Sequence, residues 1–280
     1  VTGPLLEFSG VHFAYQPDRP VLTGADFRVE AGRRLAVVGP NGGGKTTLFR
    51  LAAGSLTPRS GHVAVAGSRV RHTRAGLRAV RQQVQLVVQD PDDQLFSASV
   101  RQDVSFGPVN LGLPPEQVRQ RCDQALAALG VTSVADRPTH LLSYGQRKRV
   151  AIAGAVAMRP RLLILDEPTA GLDPVGVEEL LRTLDDLYAG GTTVVLSTHD
   201  VDLAFRWADT VAVVTGGGVR TVPAAEGLAD PGLLAAAYLS PAWAPLVHRL
   251  LDRTPGLAGS RPRTAAELAA LLTGEPERAT

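Results

Sequence analysis

Gly39-Pro40-Asn41-Gly42-Gly43-Gly44-Lys45-Thr46 stands between a short apolar run, residues 35–38, and a helical pattern over residues 45–53. The spacing is G-x-x-x-x-G-K-[ST], and a strand before with a helix after is the context in which that pattern wraps phosphate. Glycines let the backbone turn successive N–H groups inward, and the helix N-terminus adds its dipole. Gly39, Asn41, Gly42 and Gly44 read as the cradle, with Lys45, Thr46 and Thr47 opening the helix beside it. Lys45 brings a full charge to the terminal phosphates of a bound nucleotide. A unit charge pair at ~4 Å is worth ~4 kcal/mol at an effective dielectric of ~20, against ~0.3–1 kcal/mol for a helix dipole. Lys45 therefore outweighs any single backbone contact, and the Thr46 hydroxyl is placed for Mg2+.

Upstream, residues 5–38 alternate apolar and polar positions, as in Val11-His12-Phe13-Ala14-Tyr15, with turn residues at Gln16-Pro17-Asp18 and Glu30-Ala31-Gly32. That is strand patterning. Residues 61–70 and 84–88 read as further strands. From about residue 90 to 160 the texture becomes helical: Pro114-Pro115-Glu116 opens an amphipathic stretch over 117–129, and a second helix runs from near Ser143 to Met158. Residues 162–165, a continuous apolar run, and residues 193–196 read as buried strands, and a helix is expected between them over 175–189. Strands alternating with helices predict an α/β fold with a parallel core. Beyond Thr215-Gly216-Gly217-Gly218 the chain turns rich in Ala, Leu and Pro. Ser240-Pro241 reads as a helix start, and Thr264 with Glu267 as a capping box ahead of residues 268–272. The division expected is 1–222 for the main domain, with its helical part at about 90–160, and 223–280 for a small helical accessory region.

The run Leu162-Leu163-Ile164-Leu165-Asp166-Glu167 ends an apolar strand in two carboxylates. Asp166 is placed to hold Mg2+. Glu167 can accept a hydrogen bond from an attacking water and act as general base.

Composition narrows the class. Of 280 residues 44% are hydrophobic and 20% charged, enough for a sizeable core and too balanced for disorder. A formal net charge of +2 gives no footprint for nucleic acid. The single cysteine, Cys122, excludes an intramolecular disulfide, fits a reducing compartment and reads as a small helical residue. Residues 1–10 have neither a basic start nor an apolar centre, so no secretory signal is expected there. The longest nearly apolar run, 150–158, is far short of the ~20 residues of a spanning helix. The first residue is Val, read as an alternative start codon, with a clipped fragment as the other possibility. The six histidines show no metal-ligand spacing.

Leu142-Ser143-Tyr144-Gly145-Gln146 resembles the signature segment, usually L-S-G-G-Q, of ATP-binding cassette (ABC) proteins. The rest of that family's set follows in order. Gln89 matches its Q-loop glutamine, Ala170-Gly171-Leu172-Asp173 its D-loop, and His199 its switch histidine. Tyr15 lies where the family stacks an aromatic ring on adenine. The resemblance covers about residues 5–215. It implies an N-terminal antiparallel β-subdomain, a RecA-like core, a helical signature subdomain, and a C-terminal appendage outside the shared motifs. It implies ATP and Mg2+ as cofactors. Glu167, His199 and Gln89 are its catalytic positions, and Thr46, Gln89 and Asp166 its metal positions. Ser143, Gly145, Gln146 and Asp173 would face a nucleotide held by a second copy. Tyr144 departs from the glycine usual at that position of the signature.

Val88-Gln89-Asp90-Pro91-Asp92-Asp93-Gln94-Leu95-Phe96 is similar to the extended Q-loop of energy-coupling-factor ATPases. Ser197-Thr198-His199-Asp200-Val201-Asp202-Leu203 is similar to their cobalt and nickel branch. The implied role is an ATPase on the cytoplasmic face of a membrane, bound to a transmembrane coupling subunit and a substrate-binding membrane subunit. The implied assembly is a homodimer with no nucleic-acid partner. A vitamin-type importer, or a non-transport ABC ATPase acting on nucleic acid or ribosomes, stays as the alternative. The interval from Lys45 to Ser143 carries no sustained heptads, unlike that of DNA-maintenance ATPases.

Overall fold

A computed structural model of the chain describes residues 3–273. Val1, Thr2 and residues 274–280, the end of the stretch expected to be an accessory region, lie outside the described residues. β1 (Leu6–Gln16) and β2 (Arg19–Val29) form a long antiparallel hairpin whose alternation turns Leu6, Phe8, Val11 and Phe13 inward. β3 (Arg34–Val38) feeds the glycine loop and α1 (Lys45–Ala52). Residues 61–70, expected as one strand, are instead a hairpin of β4 (Ser60–Val65) and β5 (Ser68–Arg69), because Ala66 and Gly67 both adopt positive φ. α2 (Arg74–Gln83) follows, and then β6 (Val84–Val87).

The helical insert holds α3 (Val100–Asn110), α4 (Pro115–Ala128) and α5 (Tyr144–Ala157), packed on one another. α4 buries Val118, Cys122, Ala125 and Leu126 at helical spacing. Burial pushes the Cys122 thiol above its ordinary value, as expected of an inert core cysteine. The core resumes with β7 (Leu162–Leu165), α6 (Pro174–Ala189), β8 (Thr193–Ser197), α7 (Val201–Trp207), β9 (Thr210–Thr215) and β10 (Gly218–Pro223).

Two sheets result. One has the order β2-β1-β4-β5 and is antiparallel; the other has the order β10-β9-β3-β8-β7-β6 and is parallel except for its β10 edge. Leu35, Val37, Leu162 and Ile164 face α1 and the antiparallel sheet, whereas Ala36, Val38, Leu163 and Leu165 face the helices on the other side. Both faces of the parallel sheet are covered, which is why its strands read as unbroken apolar runs.

The C-terminal part contains α8 (Ala224–Gly227), α9 (Pro231–Ala236), α10 (Trp243–Leu251) and α11 (Ala265–Thr273). Leu228, Leu233, Leu234 and Ala237 are buried in the same apolar cluster as the core helices. Ser240-Pro241 does not start α10. Ala242 is its N-cap, and the Asp202 carboxylate on α7 takes the Trp243 N–H at 2.8 Å, doing the work of a local cap from outside. Thr264 Oγ1 does accept the Glu267 N–H at 3.1 Å, but Glu267 reaches back to the N–H of Arg263 rather than Thr264. Among the described residues no helix is long and apolar enough to cross a membrane.

Candidate nucleotide site

The loop between β3 and α1 carries backbone demands that only glycine meets cheaply. A Cβ on Gly39 would come within 2.5 Å of the Val214 carbonyl oxygen, and Gly44, the N-cap of α1, sits at φ +105°. A Cβ on Gly42 would meet nothing within 4 Å, so the loop is open on that side. Lys45, buried under this loop, donates from Nζ to the carbonyl oxygens of Gly39 at 2.8 Å and Pro40 at 3.3 Å.

Parallel strand ends bring the acids to the same place. Thr46 Oγ1 donates to Asp166 Oδ2 at 2.6 Å. Ser197 Oγ, at the end of β8, donates to Asp166 Oδ1 at 2.6 Å and accepts the Glu167 N–H at 2.8 Å. Glu167 Oε2 lies 3.0 Å from His199 Nδ1, while its buried Oε1 makes no hydrogen bond and stands 3.7 Å from Lys45 Nζ. Glu167 has φ +46°, a strained conformation for a residue with a Cβ and one concentrated at functional sites.

A cavity of about 560 Å3 gathers Tyr15, Asn41, Gly42, Gly44, Lys45, Thr46, Thr47, Gln89, Asp166, Glu167 and His199. Gly39 lines a neighbouring depression with His199. The Tyr15 ring is exposed, edge-on to Phe13 at 5.0 Å, and its hydroxyl is 3.3 Å from Thr47 Oγ1. Such a cavity fits a triphosphate with its metal ion. It has a glycine cradle, one lysine, hard oxygen donors on Thr46, Gln89 and Asp166, and an orphaned carboxylate oxygen on Glu167.

The remaining predicted residues are elsewhere. Ser143, Gly145, Gln146 and Asp173 line a separate depression of about 350 Å3. There Ser143 Oγ accepts the Gln146 N–H at 3.3 Å and Gln146 Oε1 accepts the Ser143 N–H at 3.0 Å, a complete capping box. Asp173 caps α6 through the Gly176 N–H at 2.7 Å.

Two residues of the network went unread in the sequence. Ser197 is fully buried and links the backbone of Glu167 to the side chain of Asp166; the stretch 197–203 that carries the resemblance contained it without giving it a role. Lys148 is buried and donates to the carbonyl oxygens of Glu167 at 2.9 Å and Ala170 at 2.8 Å. Burial pulls its pKa from 10.5 down to about 8, against the opposing charges of Glu167, Asp90 and Asp166.

Fold and cavity define a P-loop nucleotide-binding protein with an acid pair poised beside the phosphate loop. Residues 22–170 match the ABC transporter family. The chain is 60% identical to an ABC transporter ATP-binding protein of Streptomyces coelicolor, over 95% of each chain. It is 47% identical to the cobalt import ATP-binding protein CbiO of Rhodobacter capsulatus, over 98% of this chain and 99% of that one. Identity is 46% to the energy-coupling factor transporter ATP-binding protein EcfA of Methanocaldococcus jannaschii, over 77% of each. Among solved structures, CbiO1 of Clostridium perfringens, part of the ABC transporter complex CbiONQ, superposes with a TM-score of 0.74 at 41% identity, covering 83% of this chain and 94% of that one. The chain belongs to the ABC transporter family, as one of its ATP-binding, ATP-hydrolysing members.

Proposed function

We propose that this chain is the ATPase of an energy-coupling-factor importer whose cargo is cobalt or nickel. The observation that carries the ATPase part is the single cavity in which Lys45, Thr46, Asp166, Glu167 and His199 converge. The cargo follows from the likeness to a cobalt import ATP-binding protein along almost the whole of both chains.

In this reading the loop N–H groups and Lys45 bind and orient the phosphates. Thr46, Asp166 and Gln89 would hold Mg2+, which when bound neutralises phosphate charge and favours attack at the terminal phosphorus. Glu167 takes the proton of the attacking water on its carboxylate, and the Nδ1 contact from His199 fixes that carboxylate's orientation. Tyr15 stacks on the base. Ser143, Gly145, Gln146 and Asp173 line a depression separate from this cavity and serve a second copy, so two chains close head to tail over two nucleotides. Residues 1–222 form the nucleotide-binding domain, and 223–280 form an accessory region.

Membrane subunits dock, in this reading, at a groove beside the Gln89 loop on the cytoplasmic face of the membrane. Phe96 and Phe106 are exposed there, edge to face at 4.7 Å, in a groove of about 670 Å3. Exposed aromatic pairs of this kind mark interaction sites.

The test is Glu167→Gln in the purified chain and in the membrane complex. ATP binding is expected to survive while phosphate release falls by about 10²–10⁴-fold, and cobalt or nickel uptake stops with it. Normal hydrolysis removes Glu167 from the role of base. A complex that imports a vitamin but neither metal overturns the cargo.

A further inference from the structure

α5 begins at the signature and is tied to three other segments by three consecutive residues. Arg147 pairs with Asp92 in the segment after Gln89 at 2.8 Å, and Arg149 pairs with Glu179 on α6 at 2.7 Å. Lys148, between them, is 1% exposed and points inward at the turn that follows β7. Its Nζ donates to the carbonyl oxygens of Glu167 and Ala170, and stands 5.5 Å from the centroid of the Tyr144 ring. The Tyr144 ring lies against Gly171, where a Cβ would come within 2.6 Å of ring atom Cε1. The aromatic that replaces the usual signature glycine is thus packed between the D-loop and a buried ammonium.

The position of this contact matters more than its strength. The backbone of Glu167 is held on both sides of its Cα, by Ser197 Oγ on its N–H and by Lys148 on its carbonyl oxygen. Those two bonds bracket the residue with left-handed φ, so they set the direction in which its carboxylate leaves the backbone. An ordinary space-filling role would suit an apolar side chain better, because burying a charge carries a desolvation cost that hydrophobic isosteres avoid. A lysine kept here at that cost is explained by the two carbonyl groups it must reach.

We infer that Lys148 is a positioning residue that couples the signature helix to the catalytic carboxylate of its own chain. The signature of each chain serves the partner's nucleotide, whereas its Glu167 serves its own. Lys148 therefore links the two nucleotide sites: seating of α5 on one nucleotide sets the base that acts on the other. The inference rests on the head-to-tail reading above and deepens it.

The test uses the full chain and the variants Lys148→Met, which removes the donors, and Lys148→Gln, which keeps a two-hydrogen donor without charge. Measured are ATP affinity, kcat, KM, the steepness of rate against ATP concentration, and thermal stability. Lys148→Met is expected to lower kcat about tenfold with ATP affinity kept within about twofold, and to turn a sigmoidal ATP dependence hyperbolic. Lys148→Gln is expected to recover most of both. A Lys148→Met protein with wild-type kcat and steepness overturns the inference. So does a Lys148→Gln protein as impaired as Lys148→Met, or a wild type that is hyperbolic from the start. If Lys148→Met does not fold, Tyr144→Leu takes its place, since it removes the half-buried ring beside the ammonium. It is expected to cut kcat about threefold and flatten the ATP dependence, and no change in either sinks the coupling role. Glu167→Gln is run alongside. Normal hydrolysis there strikes the assignment of the base, whereas an inactive Glu167→Gln with a normal Lys148→Met strikes Lys148 alone.

Discussion

In the loop cavity, Lys45, Thr46, Asp166, Ser197, Glu167 and His199 form one continuous set of contacts between 2.6 and 3.7 Å, most of it buried. In the signature depression, the side chains of Ser143 and Gln146 are each spent on the other's backbone N–H, at an exposed helix start. Both regions place a helix N-terminus at a concavity, and in the proposed reading both meet phosphate. They differ in what they can do alone. The first holds acids, a lysine and a strained backbone, which is the equipment of a reaction. The second holds donors already engaged in a cap and no acid but Asp173, which is the equipment of a clamp. In the proposed reading, a chain that keeps its chemistry in one place and its clamp in another acts fully only when two chains meet.

Substitutions on the two sides are expected to separate this division. Glu167→Gln gives the largest effect, as set out above, in turnover and not in binding. Ser143→Ala comes next. It removes one cap bond, about 1 kcal/mol of helix stability, and with it the clamp. Steady-state hydrolysis is expected to fall about tenfold while the affinity of the isolated chain for ATP stays constant. Loss of affinity in the isolated chain would place Ser143 within the same half-site as Lys45 and break the comparison.

In the proposed reading Tyr15 belongs to the binding side only. Tyr15→Ala is expected to weaken ATP binding by about 1 kcal/mol, roughly fivefold, and Tyr15→Phe to change little, since stacking uses the ring face. Equal losses in both variants, read by nucleotide titration, would assign the effect to the hydroxyl bond with Thr47 instead.

The smallest expected effect is a pH signature of the link between the two regions. Lys148 has its pKa lowered by burial to about 8, against 10.5 when exposed. Below pH 8 it is charged in both the folded and the unfolded chain. As pH rises from 8 towards 10.5 the folded chain releases its proton first, the unfolded chain binds more protons, and stability contributed at this site rises with pH. Wild type is therefore expected to gain stability relative to Lys148→Met across that window in denaturant melts. A constant difference would mean that Lys148 is not buried as a cation.

Much of the loop cavity was legible in the sequence because its parts are local. The glycine pattern needs particular φ values, and the apolar runs 35–38 and 162–165 need burial on both faces, so each signals its own place. The helical insert and the parallel core were readable for the same reason. What stayed hidden depends on distant partners. α2 exposes Arg74, Arg78 and Arg81 and buries only Val80, so its apolar stripe is too thin to read as a helix face. The start of α10 is capped by Asp202, which sequence spacing could not connect to Trp243. Lys148 sits in the run Arg147-Lys148-Arg149, which looks like a solvated face until the fold turns its middle member inward. The signature residues, and their place apart from the loop cavity, were read from the resemblance and not from spacing, since nothing local in the run 142–146 says which nucleotide it serves.

The most direct test of the division is the mass of the Glu167→Gln chain in solution, with and without saturating ATP and Mg2+, by sedimentation or light scattering. The expected result is a single chain without nucleotide and a stable dimer with it. That dimer is expected to be lost when either Lys45→Ala or Ser143→Arg is added, one change on each side of the comparison. A protein that binds ATP at saturation yet keeps the mass of one chain would contradict the account, because each nucleotide would then be held by one copy alone.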